Sequence, residues 1–415
     1  MRKIIIFFII LTIIGTVSLV AINLRKDSSH TDDTSEAEIS QPIDLSGLDS
    51  YQPAGSMATV TDAGAVDASA SQSFTISMNF VGDIMLAGND TATSSIDAMA
   101  NSQPNTYFFE NVRDYFLNDD ITIANCENVF SDNDNLVKTD KGEAAALEQY
   151  NNAVAEYNSA VALAQQSGTT VSMEKPEYTF RAFWFRSHAA TAKLLPENGV
   201  DVVSIDNNHT YDFGTDGNMD TRAALDVAGV DWGKDGKIVY KEINGFKIAF
   251  VFGSMYSAGA EQAMLVDLEE ANANSDYQIV YFHGGEEKVH AYEDWKQASC
   301  HNLVDHGADL VIGSHPHVLQ PMETYNGVNI VYSLGNFIFG GNNYPENRTL
   351  IYNQTLTITQ DSATGGFTIA NTDITLIPCY VYTGESNNYQ PAVIENETDK
   401  QLVIDFMQGK RELPY

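Results

Sequence analysis

A set of side chains with the chemistry of metal ligands stands at the ends of strand-like runs in this sequence. Asp83 follows Gly82 after the run Phe74–Val81, and Glu127 closes the run that begins at Ile121. Asn208 and His209 follow Val200–Ile205, His283 follows Ser275–Phe282, and His315 and His317 follow Leu310–Ile312. Carboxylate, amide and imidazole together suit Mn²⁺, Fe or Zn²⁺ rather than Ca²⁺ or the metals that prefer thiolate. One or two such ions would activate water and stabilise an in-line displacement. A nearby imidazole could protonate the leaving oxygen. Each piece alone has an ordinary explanation. An isolated His-x-His pair fits a surface loop, Asp83 a turn or helix cap, and Asn125 and Asn128 turn chemistry. Recurrence at five strand ends is what points to a shared centre.

The surrounding elements must bring those ends to one place. The short apolar and β-branched runs read as strands buried on both faces. In open α/β sheets, ligands bind at the carboxyl edge of such strands. At strand spacing Asn125 and Glu127 share a face. Pro316 is expected to hold the backbone extended, so that His315 and His317 also point one way. Gly284 and Gly285 allow close backbone approach to a ligand. Helices are expected around Thr106–Phe116, His188–Asn198 (with Gly199 as its cap), Gly217–Ala228, and in the segment that carries Trp295, His301, Leu303 and His306. Asn244-Gly245 and Asn326-Gly327 mark hairpin turns. Lys141–Ser167 is rich in Ala and Glu, with Leu147, Tyr150, Val154, Tyr157 and Val161 near helical spacing. It reads as a helical insertion at the domain surface. Gly366–Tyr382 alternates like an exposed sheet strand or a hairpin. The segment from about Glu395 is expected to hold a short helix and a tail.

The chain has 415 residues, with 22 Lys and Arg against 56 Asp and Glu, a net charge of -34. That balance argues against nucleic acid as a partner. Cys126, Cys300 and Cys379 are too few and too scattered for a disulfide framework or a Cys-type zinc site. Ile4–Leu24 is apolar apart from a few small polar residues. At about 1.5 Å per residue it reaches roughly the 30 Å of a bilayer core. We expect residues 1–26 to be an uncleaved signal anchor, with a cleaved signal peptide as the alternative; both place the main domain outside the cytoplasm. Residues 27–73 lack Lys and Arg and are rich in Ser, Asp, Thr and Ala, the composition of a disordered acidic tether. The main domain is expected over 74–394, with the helical insertion at about 141–167 and a C-terminal tail over 395–415.

Taken in order, Gly82-Asp83-Ile84-Met85-Leu86, Asn125-x-Glu127, Asn207-Asn208-His209-x-x-Asp212-x-Gly214, His283-Gly284-x-x-Glu287, Ser314-His315-Pro316-His317-Val318-x-Gln320 and Tyr332-Ser333-Leu334-Gly335-Asn336-Phe337 resemble the CapA family of bacterial poly-γ-glutamate capsule-synthesis proteins. The resemblance covers about Phe74 to Tyr382. That family is related to the calcineurin-like metallophosphoesterases. The resemblance implies an α/β fold, a four-layer α/β/β/α metallophosphoesterase-like sandwich, with an N-terminal transmembrane anchor. It implies Asp83, Glu127, Asn208, His283, His315 and His317 as metal ligands, His209 as the proton donor, and one or two divalent ions. Asn125, Asp212, Glu287 and Asn336 are further site candidates. Three positions depart from the pattern. Met85 replaces a metal-ligating His, Asp206 an Ala, and Gly284 an aromatic.

Two functions follow as expectations. One is a membrane-anchored extracytoplasmic protein of capsule biosynthesis or export that acts as a metal-dependent hydrolase. The other is a non-catalytic subunit of an envelope-polymer synthesis complex on the same fold. The expected partners are the membrane, capsule synthesis or export proteins, and an anionic envelope polymer.

Overall fold

The computed structural model describes residues 71–413 apart from 90–94, 168, 171–172, 179–181, 341–342 and 344–346. The anchor expected at 1–26, and the tether up to residue 70, lie outside the described residues. Among the described residues no helix is long and apolar enough to cross a membrane.

The strands are β1 (Gln72–Ile84), β2 (Gly88–Asn89), β3 (Ile121–Cys126), β4 (Val129–Phe130), β5 (Phe185–Ser187), β6 (Val202–Ser204), β7 (Asp231–Gly233), β8 (Val239–Ile243) and β9 (Phe246–Ser254). They continue as β10 (Tyr277–His283), β11 (Leu310–Ser314), β12 (Leu319–Tyr325), β13 (Val328–Leu334), β14 (Asn336–Ile338), β15 (Arg348–Gln360), β16 (Phe367–Tyr380) and β17 (Ala392–Val393). One sheet runs β17-β16-β15-β1-β3-β6-β7, with β14 beside the end of β1; the other runs β12-β13-β11-β10-β9-β8. β2, β5 and β4 form a small third sheet. The fold is mixed α/β.

Each large sheet has a parallel core. β1, β3, β6 and β7 run together in one, and β9, β10, β11 and β13 in the other. The inner faces of the two sheets meet in a core that includes Met78, Phe80 and Tyr352 from one and Phe250, Tyr281 and Ile312 from the other. On the outer face of the first sheet, Ala124 and Val203 pack with Phe116, Leu194 and Leu225 from helical segments. On the outer face of the second, Val251, Val280 and Val311 pack with Leu268 and Leu303 of the helices Gln262–Asn274 and Asp294–Asp305. Strands enclosed this way on both sides need the continuous apolar runs that the sequence shows.

Register explains how the strand ends meet. Asp83 pairs across with Asn125 on β3 and with Asn336 on β14. His283 lies opposite Ser254 on β9 and Ser314 on β11. Two glycines permit this closeness. A Cβ on Gly82 would lie 1.7 Å from the Gly335 carbonyl oxygen, and one on Gly284 would lie 1.6 Å from that of Met255.

Several elements differ from expectation. His188–Asn198 is not one α-helix but two 3₁₀ segments, Ala189–Leu194 and Pro196–Asn198, because Pro196 starts a new turn without an N–H to donate. Thr106–Phe116 is likewise a 3₁₀ turn at Tyr107–Phe109 followed by a short helix, Arg113–Leu117. The short helix expected from about Glu395 forms, but the segment packs into the interior instead of trailing as a tail. Asn396 caps the helix Glu397–Met407, and Leu402, Val403, Phe406, Met407 and Leu413 join the core between the sheets. β15 carries no counterpart in the sequence reading, although Leu350, Tyr352, Leu356 and Ile358 alternate into the core.

Candidate metal centre

The carboxyl edges of β1, β3, β10 and β11 converge on a buried polar cluster. Asp83, Asn125, Glu127 and His283 have no exposed surface, and His209, His315 and His317 are nearly buried. Asn125 ties the carboxylates together, its Nδ2 donating to Asp83 Oδ1 at 2.8 Å and to Glu127 Oε2 at 3.2 Å. Asn207 in turn donates to Asn125 Oδ1 at 3.0 Å and to the Cys126 carbonyl at 2.8 Å. Its own Oδ1 accepts the His209 N–H at 3.0 Å. The amides therefore build the frame, and the carboxylates and imidazoles face inward.

Glu127 Oε1 is the exception to this pairing. It is buried and has no hydrogen-bond partner. Around it stand His317 Nε2 at 3.6 Å, His283 Nε2 at 3.9 Å and His209 Nε2 at 3.9 Å. These distances are too long for hydrogen bonds. An unpaired buried carboxylate oxygen is costly unless something cationic meets it. Asp83, Glu127 and His317 form one group able to hold an ion, and Glu287, His315 and His317 another. Hard carboxylates with neutral imidazoles fit a divalent metal.

Electrostatics point the same way. Burial opposes ionisation of Asp83, yet hydrogen bonding to His283 and His317 outweighs it and holds the carboxyl well below the usual carboxylate range. Burial, then the charges of Asp83 and Glu287, pushes Glu127 far above it. Burial lowers His283, and burial together with His283 and His317 lowers His315 to about 2. Neutral imidazoles are the form that ligates.

His317 donates through Nδ1 to Asn336 Oδ1 at 2.8 Å, which turns Nε2 toward Glu127. A second contact of this kind is expected of ligating histidines. His209 donates through Nδ1 to Asp212 Oδ2 at 2.8 Å and also presents Nε2 inward. The ring of Phe185 covers it at 4.5 Å between centroids. Burial lowers the His209 pKa against the opposing pull of Asp212.

The candidate residues fall into distinct places. Asp83, Asn125, Glu127, His209, Asp212, His283, His315, His317 and Asn336 come together in the interior. Asn208 is exposed and reaches the group through His283 Nε2, 2.9 Å from its Oδ1. Glu287 is exposed at the rim beside His315 and His317. The extended His315-Pro316-His317 segment expected from sequence is not what forms. His315 has φ 97° and His317 φ 57°, both left-handed. Such conformations in non-glycine residues cost energy and persist where the surroundings enforce them. Here His315 N–H donates to Asp83 Oδ2 at 3.3 Å and His317 is held by Asn336.

The departures from the motif pattern have structural consequences. Met85 packs with Ala87, Phe185 and Phe339 in an apolar cluster and supplies no metal ligand of the expected type. Asp206 is occupied elsewhere, accepting from Ser254 Oγ at 2.6 Å and from the Asp235 N–H at 2.7 Å. Two residues near the site were not singled out from sequence. Tyr256 sets its ring edge-on to His315 at 5.1 Å. Lys141, at the entrance to the helix Glu143–Ser167, ion-pairs with Asp212. No local motif links Lys141 to Asp212, so only the tertiary fold reveals the pair.

Known proteins are similar to parts of this chain. Residues 158–341 match the family described as "Bacterial capsule synthesis protein PGA_cap". That stretch holds Asn208, His209, His283, His315, His317 and Asn336, and leaves Asp83 and Glu127 outside. The chain is 26% identical over 365 residues to "Capsule biosynthesis protein CapA" of Bacillus anthracis, covering 80% of this chain and 74% of that protein. It is 31% identical over 176 residues to "PGA biosynthesis protein CapA" of Bacillus subtilis (strain 168), covering 37% of this chain and 46% of that protein. Among solved structures, the calcineurin-like phosphoesterase YfkN from Bacillus subtilis aligns with TM-score 0.37 and 14% identity, over 82% of this chain and 100% of that one.

Proposed function

We infer that this chain, a homologue of the CapA capsule-biosynthesis proteins, serves the making or export of a capsule polymer as a metal-dependent hydrolase on a four-layer metallophosphoesterase-like sandwich. The observation that carries the reading is Glu127 Oε1, a buried carboxylate oxygen without a hydrogen bond, ringed by three imidazole nitrogens. Asp83, Glu127, His283, His315 and His317 would hold the ion, which is Mn, Fe or Zn. The bound metal supplies an activated water and neutralises charge developing at the attacked centre.

The chain's own residues do the rest. Asn125 and Asn207 fix the carboxylates so that they need not reorganise during reaction. As an imidazolium, His209 delivers the Nε2 proton to the leaving oxygen or nitrogen and becomes neutral, while the Asp212 carboxylate holds Nδ1–H and offsets the charge beforehand. Phe185 shields that imidazole from water. The polymer is poly-γ-glutamate, a reading supported by the resemblance of the motifs to the CapA family and by a relative named for PGA biosynthesis. The segment Ile4–Leu24 anchors the chain in the cell membrane, with the main domain extracytoplasmic beside other capsule-synthesis proteins. One observation favours a second reading, that of a non-catalytic subunit: Met85 stands in an apolar cluster where the phosphoesterase pattern has a ligand.

The test is elemental analysis of the full chain in detergent, with His315→Ala beside it. Hydrolysis of a generic phosphodiester and of a γ-glutamyl polymer is followed on the same samples. We expect bound Mn, Fe or Zn that falls in the mutant, with hydrolysis falling in step. Absence of metal from the wild-type protein, and of any change on mutation, would leave the subunit reading.

A further inference from the structure

Lys141 belongs to the insertion by sequence and to the site by geometry. It immediately precedes the turn into the helix Glu143–Ser167, a helix in which Ala164 alone is buried among the described residues. Its Nζ ion-pairs with Asp212 Oδ1 and donates to the Phe183 carbonyl at 2.8 Å. The same carboxylate accepts, on Oδ2, the Nδ1–H of His209 and the backbone N–H of Phe185, each at 2.8 Å. Lys141 Nζ lies 3.4 Å from His209 Nδ1. With Nδ1 already donating to Asp212, that approach joins two donors and is not itself a bond. Lysine and histidine are instead held together by the carboxylate between them.

The backbone ties this lysine down further. Thr139 donates its N–H to the Asp212 carbonyl at 2.9 Å, and Trp184 Nε1 donates to the Thr139 carbonyl at 2.9 Å. The ring of Trp184 lies 5.9 Å from Lys141 Nζ. Segment 139–141 is therefore fastened both to the loop that carries His209 and to the residues Phe183 and Trp184 that lead into the strand covering it.

We propose that Lys141 is a positioning residue for His209, acting through Asp212 and resting on the reading of His209 as proton donor. With Oδ1 pinned by the ammonium, the carboxylate cannot rotate, and Oδ2 stays aimed at Nδ1–H. The imidazole is thereby fixed in the orientation that keeps Nδ1–H on Asp212 and turns Nε2 toward Glu127, 3.9 Å away, and the carboxylate offsets the charge of the imidazolium that carries the Nε2 proton. Without the ammonium, Asp212 would hold a buried carboxylate oxygen with no counter-charge, and its alignment with His209 would be the first thing to relax. The insertion thus contributes a member of the site, and displacement of its first turn would be felt at His209.

The test uses the full chain in detergent with Lys141→Met, Lys141→Arg and His209→Gln. Proton spectra of metal-free protein should show a low-field imidazole N–H that is absent in His209→Gln. Lys141→Met should lose that signal to exchange, and Lys141→Arg should keep it. With Mn²⁺ bound, Lys141→Met should lower kcat on the order of tenfold or more for a phosphodiester with an alkoxide leaving group, and much less for one with nitrophenoxide, because only the poor leaving group needs the proton. KM should hold, and Lys141→Arg should restore most of the loss. An unchanged signal with unchanged leaving-group selectivity in Lys141→Met would overturn the proposal. So would the absence of the signal from wild type, or an equal fall on both substrates that arginine does not rescue. Wild-type protein that hydrolyses neither substrate would refute the proton-donor reading, while the response of the signal would still decide whether Lys141 holds Asp212 and His209.

Discussion

Glu127 has two demands on it that conflict in the metal-free protein. Burial and the neighbouring carboxylates oppose its ionisation, yet the imidazoles around Oε1 are arranged for an anion shared with a cation. A carboxyl whose folded pKa is raised destabilises the fold once pH exceeds its unfolded value of 4.5. Glu127→Gln removes that penalty and removes an ion ligand at once. We predict that the variant raises the metal-free melting temperature at pH 7.5. The rise on adding Mn²⁺ should nearly vanish, where wild type gains about 2.7 kcal/mol at a hundredfold excess over Kd. Calorimetry with and without Mn²⁺ checks both signs; equal metal stabilisation in the two proteins would remove Glu127 from the centre. At this scale the sequence was informative about residue types and silent about strain. The spacing of His315 and His317 announced the pair, but their left-handed conformations arise from contacts with Asp83 and Asn336, which lie far off in the chain. Lys141 was illegible for the same reason.

Strand ends are held in place by backbone contacts, and Gly82 shows how tightly. Asp83 N–H donates to the Gly335 carbonyl at 3.0 Å, so β1 and the turn between β13 and β14 touch just before the first ligand. Any Cβ on Gly82 would collide with that carbonyl, and backbone cannot swing aside as a side chain can. We predict that Gly82→Ala destabilises the domain by about 1–3 kcal/mol and lowers metal occupancy by shifting Asp83. Urea midpoints and metal content measure the two effects, and a variant with wild-type values for both would show that the contact is not needed. The hairpins at Asn244-Gly245 and Asn326-Gly327 were legible because their turns demand positive φ, which all four residues adopt. β15 was harder to see, since Gln354 interrupts its apolar face. That amide is buried and bonds to Tyr277 and Tyr352, a satisfaction that only the packed structure reveals. The C-terminal helix was legible but its packing was not, because its apolar face fills a gap between sheets built much earlier in the chain.

At the scale of the whole molecule, a net charge of -34 means that the folded chain repels itself at neutral pH. Local burial works in the same direction. Burial raises Asp119 to about 7, aided by the nearby charge of Asp201, and raises Asp309 to about 6. The ordinary value of both carboxyls is 3.8, so the folded state binds these protons more tightly than the unfolded state does. Their contribution is fully present below about pH 4 and is lost as pH rises through about 6 to 7. Asp83 has the opposite sign, but its contribution is lost only as pH falls below 3.8, outside that window. The part carried by Asp119 and Asp309 should therefore decline from pH 5 to pH 8, while His209, His283 and His315, whose pKa values burial lowers, work the other way as pH rises through their unfolded value of 6.5. Added salt should flatten the part due to general repulsion, since it screens exposed charges and leaves buried ones largely untouched. Asp119→Asn isolates the buried part. Both hydrogen bonds received by Asp119, from Thr122 Oγ1 at 2.7 Å and from the Asn79 N–H at 3.2 Å, fall on Oδ2, so an amide oxygen can keep them. We predict that this variant melts higher than wild type at pH 8, that the two converge near pH 4, and that the difference persists in high salt. Melting curves across that range decide it: a difference that does not grow from pH 4 to pH 8, or one abolished by salt, would place the effect on the surface and not at Asp119.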